Sequence, residues 1–400
     1  MQTWNHWNSI ARSQNALSLT SLTEGVQYRH PRGEEEWCGW DETCLRFTER
    51  TLLKKVLLNG RRFSRDRQIR ALRGCVLREE GNHDSRYLLT AGELARLSGA
   101  DSSEVKTSFD PRDLIPQGGN KKGVGPAAVR RYLSRLGFAY PFKVIAHINM
   151  RGGIGKTTST VTAAARACQY GFKTCIIDLD PQGSSSLALD QLPGEEDPIF
   201  YDIWQNPAEL TIGSLKKIQE YLYILPSSLE NALLDASLIN PSSQKRAVHG
   251  VCDVLKTNGF DAVFIDCPPS LGIAVISTIC AADIIVIPVH SDAFSFKGLD
   301  LTLQEIGSIC ETFGLRRPLI RILYTKYDRR EKIAAEGLQR LTSEYGAYLI
   351  PKVIRTSTDF SQHLARRETV FASLKKSQAK EDYDYYVRHI LGLERFADGR

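Results

Sequence analysis

Hydrophobic and polar positions follow two different patterns along the 400-residue chain, and the change falls near residue 141. From Lys143 onward, short apolar runs alternate with stretches of helical periodicity. Such alternation is typical of a mainly parallel, doubly wound sheet with helices on both faces, so this part is predicted to be α/β. The candidate strands are Val144–Asn149, Thr174–Asp178, Leu222–Leu225, Ala262–Asp266, Ile284–Pro288, Leu319–Tyr324 and Tyr348–Ile350.

The chain before residue 141 has a mostly helical pattern. From Glu42 to Leu58, apolar residues recur at helical spacing, which predicts one helix in residues 1–85. Further on, Thr90 and Glu93 have the spacing of a capping box, in which the threonine hydroxyl and the glutamate side chain cap the helix start reciprocally. A short helix over Ala91–Ser98 is therefore expected.

A turn at residues 99–101 and a second short helix over residues 102–108 follow, which is the spacing of a helix-turn-helix. The second helix of that motif enters the DNA major groove, so Ser102, Ser103 and Lys106 are candidate DNA contacts. An ordinary helical hairpin is the alternative, because short matches to this motif are often false. Residues 118–125 are glycine-rich and indicate a loop or a wing.

These patterns predict three parts: an N-terminal helical or dimerisation region over residues 1–85, a winged helix-turn-helix domain over residues 86–140, and a P-loop domain over residues 141–400.

A hydrophobic fraction of 42% and a charged fraction of 24% are typical of globular proteins and argue against disorder. No apolar run reaches the length of a membrane-spanning helix, and residues 1–10 lack the pattern of a secretory signal. The nine cysteines show no CxxC spacing, which favours a reducing cytoplasm over a disulfide framework or a zinc site.

The net charge of +6 is unevenly distributed. It is +7 over residues 1–140, −8 over 141–315, +9 over 316–380 and −2 over the last 20 residues. Two basic blocks around an acidic middle suggest an anionic polymer as partner, although basic surface also serves solubility.

The segment Met150–Thr158 carries the most specific chemical pattern, Met-Arg-Gly-Gly-Ile-Gly-Lys-Thr-Thr, between a predicted strand and a predicted helix. Glycines there let backbone N–H groups curl around phosphate oxygens, to which the start of the helix adds positive potential. Lys156 would reach the terminal phosphates and Thr157 would ligate Mg²⁺. The strict phosphate-loop pattern fails only at Met150. The predicted nucleotide-binding residues are Arg151, Gly152, Gly153, Ile154, Gly155, Lys156, Thr157 and Thr158.

Three ordered motifs resemble those of the ParA/MinD family. Arg151–Thr157 resembles its deviant Walker A motif, Ile176–Gly183 its second acidic motif, and Phe264–Gly272 its Walker B and switch segment. Residues 143–380 are similar throughout to a ParA partition ATPase of the long class. The resemblance implies ATP and Mg²⁺ as cofactors, with Asp180 orienting the attacking water and with Asp178 and Asp266 holding the metal together with Thr157.

One position departs from the family. A signature lysine, which reaches the partner subunit's nucleotide in an ATP-sandwich dimer, is replaced by Arg151. Arginine keeps the charge but differs in shape, so retained function, altered hydrolysis and mere packing at the loop are all open. The predicted catalytic residues are Asp180, Lys156 and Arg151.

The resemblance also assigns two surfaces. Lys326, Tyr327, Pro351 and Val353 occupy positions where the family encloses adenine. The basic block near the C-terminus corresponds to a surface that binds DNA without sequence preference, although each cation alone is more commonly a solvated surface charge. The candidates are Arg317, Arg321, Lys352, Arg355, Arg366 and Arg367.

The implied function is DNA partition by an ATP-dependent homodimer that binds nucleoid DNA in the cytoplasm and is released when a ParB-like centromere-binding protein stimulates hydrolysis. The N-terminal domain would bind an operator and repress its own operon, and assembly beyond a dimer is left open. Two alternatives are a relative that positions a protein cargo and a nucleotide-binding transcriptional repressor. A MinD-like membrane switch is disfavoured because the tail after Val387 carries few positive charges.

Overall fold

The computed structural model describes residues 86–117, 122–291 and 293–394, together with the strand residues 28–29 and 35–36. The chain divides into two compact units, Met1–Gln68 and Ile69–Arg400. In the first unit, β1 (Tyr28–Arg29) and β2 (Glu35–Glu36) form an antiparallel pair. The helix predicted over Glu42 to Leu58 lies outside the described residues.

The second unit contains the remaining described elements. Its strands are β3 (Leu114–Pro116), β4 (Lys122–Val124), β5 (Lys143–His147), β6 (Thr174–Asp178), β7 (Lys216–Gln219), β8 (Leu222–Leu225), β9 (Ala262–Asp266), β10 (Ile284–Val289) and β11 (Leu319–Tyr324). Its helices are α1 (Ala91–Ser98), α2 (Ser102–Thr107), α3 (Pro126–Arg135), α4 (Lys156–Gln169), α5 (Ser184–Ala188), α6 (Phe200–Ile203), α7 (Pro207–Ser214), α8 (Leu234–Ser237), α9 (Pro241–Thr257), α10 (Ile273–Ala281), α11 (Ala293–Thr312), α12 (Lys332–Tyr345), α13 (Thr358–Ala365) and α14 (Gln378–Leu391). Short 3₁₀ turns span Pro111–Asp113, Leu229–Leu233 and Val370–Ala372.

A seven-stranded sheet forms the centre, in the order β11-β10-β5-β9-β6-β8-β7. All neighbouring strands are parallel except β7 and β8, which pair antiparallel at one edge. The central strands are buried on both faces, because their alternate side chains enter two separate cores. Ile145, Ile176 and Phe264 belong to one core, whereas Val144 and Ile265 belong to the other.

Six of the seven predicted strands are confirmed within two residues at each end. The strand predicted at Tyr348–Ile350 is wrong: only Leu349 pairs there, through a single bridge to Ile322, because a turn at residues 346–348 precedes it. The sequence analysis also missed β7, whose residues Lys-Lys-Ile-Gln show no apolar run and pair only at the edge of the sheet.

The helical pattern before the sheet is confirmed in its local detail. The Thr90 hydroxyl accepts the Glu93 backbone N–H at 3.2 Å, and the Glu93 carboxylate accepts the Thr90 N–H at 2.9 Å. After α1 and α2, β3 and β4 pair as an antiparallel hairpin, although residues 118–121 between them lie outside the described part. Residues of α1 and α3 share one hydrophobic core with α4 and α14.

None of the helices in the described part has the length and apolarity needed to cross a membrane. The six cysteines in that part are free thiols, and five of them are buried.

Candidate nucleotide-binding site

The predicted phosphate loop connects β5 to α4 at the edge of the sheet where the parallel strands end. Such an edge is where crevices open in α/β sheets, because loops leave the strands in different directions. Gly153 and Gly155 have φ of 74° and 94°, a left-handed conformation that side chains with a Cβ rarely adopt. The two glycines therefore allow the tight curl that aims backbone N–H groups at a bound anion.

Loop residues are held by contacts within the site. The Lys156 ammonium donates a hydrogen bond to the Arg151 carbonyl at 2.8 Å. The Arg151 N–H donates to the Asn149 side chain at 3.0 Å, and that side chain donates to the Pro288 carbonyl at 2.8 Å. Burial lowers the pKa of Lys156, while the charges of Asp266 and Asp180 act to raise it. The cation is thus largely buried and lies near two carboxylates before any phosphate arrives.

Two buried carboxylates lie side by side at the ends of neighbouring strands. Asp178 ends β6 and Asp266 ends β9, and the two are register partners. The Asp178 carboxylate accepts the Ser186 N–H at 2.8 Å and the Ser186 hydroxyl at 2.7 Å. The Asp266 carboxylate accepts the Ser185 hydroxyl at 2.8 Å and a hydrogen bond from the Thr157 side chain. These contacts fix one oxygen of each carboxylate.

The other oxygens indicate what the site could hold. Oδ1 of Asp178 and Oδ1 of Asp266 are buried and have no hydrogen-bond partner within the described chain. Unpartnered buried acceptors of this kind call for a cation, an ordered water or a proton. Burial raises the pKa of Asp266 to about 6, and burial together with Asp266 raises the pKa of Asp178 well above its ordinary value. A divalent cation would relieve this unfavourable pairing of charges.

The remaining ligands of such a cation would come from outside the protein. Among the described residues, no group of three or more His, Cys, Asp or Glu side chains could hold a metal. Mg²⁺ usually keeps several waters and binds through one or two carboxylates plus substrate phosphates. The pair of aspartates with the Thr157 hydroxyl fits that ion.

Asp180 lies two residues beyond the end of β6. Its carboxylate accepts the Gln182 N–H at 2.9 Å, and its backbone carbonyl accepts the Ser227 hydroxyl at 2.7 Å. The side chain is mostly buried, with the whole residue 9% exposed, and its charge influences Lys156. Asp180 is therefore held close enough to the phosphate-loop lysine for the two charges to interact.

The two segments predicted to enclose the base lie side by side. The Tyr327 N–H donates to the Ile354 carbonyl at 3.0 Å, and the Thr356 N–H donates to the Tyr327 carbonyl at 2.9 Å. Lys326 and Tyr327 thereby border the turn that contains Pro351 and Val353. Their use as base contacts stays a prediction.

The predicted DNA-contacting cations do not form one uniform surface. Lys352 and Arg355 both pair with the fully buried Asp382 of α14, at 3.5 Å and 2.7 Å. Arg317 pairs with Glu311, Arg367 pairs with Asp190, and Arg321 donates to the carbonyl of its neighbour Ile320. Arg366 is exposed after α13.

On α2, Ser103 and Lys106 are exposed and Ser102 is half-buried, whereas Val105 packs into the core. The side chains proposed to read DNA are thus on the outward side of that helix. DNA binding by these residues stays a prediction.

Several residues that shape the site were missed from the sequence. Ser185 and Ser186 hold the two carboxylates, and Ser227 holds the backbone at Asp180. Ser186 carried a local signal, because hydroxyls near the start of a helix commonly bond nearby acceptors, whereas the partner of Ser185 is 81 residues away. Ser227 carried no such signal, since it is 47 residues away from its partner.

Comparisons with known proteins agree with this geometry. Residues 142–320 match a family model described as an AAA domain. The chromosome-partitioning ATPase Soj from Treponema pallidum (strain Nichols) is 28% identical over 252 residues, covering 63% of this chain and 98% of Soj. The chromosome partitioning protein ParA from Caulobacter vibrioides (strain NA1000 / CB15N) is 24% identical over 258 residues, covering 64% of this chain and 97% of that protein.

A solved structure shares the fold. Cobyrinic acid a,c-diamide synthase from Mycobacterium smegmatis, with a bound ATP analogue and magnesium, aligns with a TM-score of 0.55 and 23% identity. The alignment covers 65% of this chain and 97% of the synthase.

Proposed function

We propose that this chain is a ParA-type P-loop ATPase that binds ATP with Mg²⁺, hydrolyses it to ADP and phosphate, and uses the cycle to partition DNA. One observation carries the proposal: Lys156, Asp180 and the Asp178–Asp266 pair lie close together at the ends of the parallel strands. The ATP analogue and magnesium in the synthase of the same fold support the choice of cofactors. The partition relatives support the biological role.

The residues divide the chemistry between them. The backbone of Gly152–Thr158 would surround the phosphates, while Lys156 would exchange the Arg151 carbonyl for a phosphate oxygen. Thr157, Asp178 and Asp266 would hold Mg²⁺, and this ion would neutralise part of the phosphate charge. Asp180 would orient the attacking water, since phosphoryl transfer to water depends on positioning and charge stabilisation without a covalent intermediate.

Arg151 would act across a homodimer. It precedes the glycines of the loop, and its guanidinium could contact phosphate in two places at once, as arginine fingers do. In this role it would replace the family's signature lysine with a planar group of the same charge.

The other parts of the chain would connect the ATP cycle to DNA. Residues 86–140 would act as an operator-binding domain that represses the chain's own operon, and residues 1–85 would contribute to dimer contacts. The ATP-bound dimer would associate with nucleoid DNA in the cytoplasm without sequence preference. A ParB-like centromere-binding partner would then stimulate hydrolysis and release the dimer.

Phosphate release from ATP and Mg²⁺ tests the enzymatic proposal. It should be measured for the wild type, Asp180→Ala and Lys156→Gln, each with and without duplex DNA. We expect Asp180→Ala to bind ATP but to lose turnover by about two orders of magnitude, because the water is no longer oriented. Lys156→Gln should lose nucleotide binding as well. Equal turnover by Asp180→Ala and the wild type would refute the role of Asp180.

A further inference from the structure

The carboxyl end of β11 contacts the phosphate loop through two consecutive side chains. The Thr325 hydroxyl donates a hydrogen bond to the Ile154 carbonyl at 2.9 Å. The Lys326 ammonium donates to the Gly153 carbonyl at 2.6 Å. When the backbone N–H groups of a loop point toward a phosphate, the carbonyls of the same loop point away from it and need other hydrogen-bond donors. Two loop carbonyls thus bond the two residues that directly follow β11, more than 170 residues away in the sequence.

Lys326 adopts an uncommon backbone conformation. Its φ is 54°, in the left-handed region that residues other than glycine, asparagine and aspartate seldom occupy. The residues around it fix this conformation, because Thr325 and Tyr327 are both held by backbone hydrogen bonds, to Val289 and Ile354 respectively. An uncommon conformation maintained beside a binding crevice is grounds for a functional hypothesis.

The side chain joins the two ends of the proposed nucleotide site. The backbone of Lys326 leads directly into Tyr327, in the segment proposed to face the base, whereas its ammonium lies at the phosphate loop. Lys156 differs, because its partner is the Arg151 carbonyl and it must leave that partner to reach a phosphate. Lys326 can keep the Gly153 carbonyl while a nucleotide is bound, since N–H groups alone would face the phosphates.

We infer that Lys326 is a positioning residue, which ties the phosphate loop at Gly153 to the base-facing segment and keeps the loop shaped for phosphate before a nucleotide binds. The inference rests on the proposed nucleotide-binding function and deepens it. A loop that is already shaped loses less conformational freedom on binding, so Lys326 should contribute to nucleotide affinity. It should contribute little to the rate of hydrolysis, because Asp180 and Lys156 are held by other contacts.

Three variants of the full chain test the contribution of the Lys326 ammonium separately from that of the left-handed backbone conformation. Lys326→Met removes the charge, Lys326→Arg keeps it, and Lys326→Asn removes it with a residue that tolerates left-handed backbone. Lys332→Met is the matched control, because it removes a lysine whose side chain is 91% exposed on α12. The measurements are the dissociation constants of mant-ADP and mant-ATP, KM and kcat for ATP, and the thermal unfolding midpoint.

Loss of a hydrogen bond from a charged donor is expected to weaken nucleotide binding about tenfold in Lys326→Met and Lys326→Asn. KM should rise in parallel while kcat stays within about twofold, which marks a loss of binding rather than of transition-state stabilisation. Lys326→Arg should restore most of the affinity, and Lys332→Met should behave as the wild type. Lys326→Asn should keep the wild-type unfolding midpoint, which a merely structural role would lower.

Wild-type affinity in both Lys326→Met and Lys326→Asn would overturn the inference, as would a fall in kcat without a change in KM. A wild type that binds nucleotide without hydrolysing it would refute the proposed ATPase activity alone, since the dissociation constants would still decide the role of Lys326. A wild type that binds neither nucleotide would refute both.

Discussion

His147 shows how strongly burial determines the state of a single side chain in this fold. It lies on the central strand β5 and is fully buried, with Nε2 2.7 Å from the Tyr386 hydroxyl and its ring stacked on Phe264. Nδ1 has no hydrogen-bond partner in the described part of the chain. Burial lowers the pKa of His147 to about 3, so the imidazole is neutral at physiological pH.

This residue predicts a pH dependence of stability. Between pH 6.5 and 3 the unfolded chain binds a proton at His147 that the folded chain does not, so the free energy of unfolding falls as the pH falls through this range. The loss at pH 5 should be about 2 kcal/mol from this one group. Urea unfolding at pH 7, 6 and 5 measures it.

His147→Gln provides the comparison, because glutamine can bond Tyr386 but does not titrate. Other titrating groups contribute equally to the pH dependence of both proteins. The free energy of unfolding of the variant should therefore fall less steeply as the pH falls. Parallel curves for the two proteins would contradict the prediction.

At the scale of elements, helix α4 connects the phosphate loop to the segment predicted to be a helix-turn-helix. It begins with Lys156, and Arg166 near its other end is almost fully buried. The Arg166 guanidinium lies 3.1 Å from the Glu93 carboxylate on α1 and 2.6 Å from the Asp384 carboxylate on α14. Burial opposes ionisation of Glu93, but the charge of Arg166, the hydrogen bonds from Thr90 and the charge of Lys380 together outweigh it and lower the pKa of that carboxylate.

Arg166→Met should destabilise the fold by about 3 kcal/mol, because it takes a buried shared cation away from two partly buried carboxylates. Urea unfolding of the full chain provides the measurement. Lys332→Met is the control, since Lys332 pairs with Glu336 on the surface of α12 and its loss should cost less than about 0.5 kcal/mol.

Equal destabilisation by both variants would contradict the importance of the buried triad. The aromatic ring of Phe371, 4.8 Å from the Arg166 guanidinium, contributes to the same site. Adding Glu93→Gln to Arg166→Met should recover part of the loss, because it removes one of the two carboxylates that have lost the Arg166 cation.

At the scale of the whole molecule, the cations of the basic blocks differ in their exposure and in their ion-pair partners. Lys352 and Arg355 are paired with Asp382, so their charge is partly used to anchor α14. Arg366 and Lys106 are exposed and far apart in the sequence, one after α13 and the other on α2. The two proposed DNA surfaces can therefore be tested independently.

Arg366→Glu should weaken ATP-dependent binding to random-sequence duplex DNA and lower the slope of log K against log salt by about one or two, because phosphate contacts release counterions. Fluorescence anisotropy across a range of salt concentrations measures this. Lys106→Glu should leave random-sequence binding nearly unchanged. Arg340→Glu has the same change of charge outside both surfaces and serves as the control, so an equal loss in all three variants would indicate a net-charge effect alone.

Local sequence patterns were sufficient to predict the elements whose formation depends on residues adjacent in the sequence. The buried strands at Thr174–Asp178 and Ala262–Asp266 were predicted to the residue, because continuous apolar runs bounded by polar residues leave few alternatives. The capping box at Thr90 was predicted for the same reason. By contrast, β7 and the lone bridge at Leu349 depend on a partner strand at the sheet edge, which local pattern does not reveal.

The sequence by itself determined the α/β class, the phosphate loop and the aspartates at the ends of β6 and β9, since each is a contiguous pattern whose chemistry depends on residue type and spacing. Only the tertiary structure decided which side chains act together. It placed Asp178 beside Asp266, held them with Ser186 and Ser185, brought Lys326 to Gly153 and paired Lys352 and Arg355 with Asp382. The physical reason is that these contacts join residues distant in sequence, whose approach depends on the packing of the whole sheet and its helices.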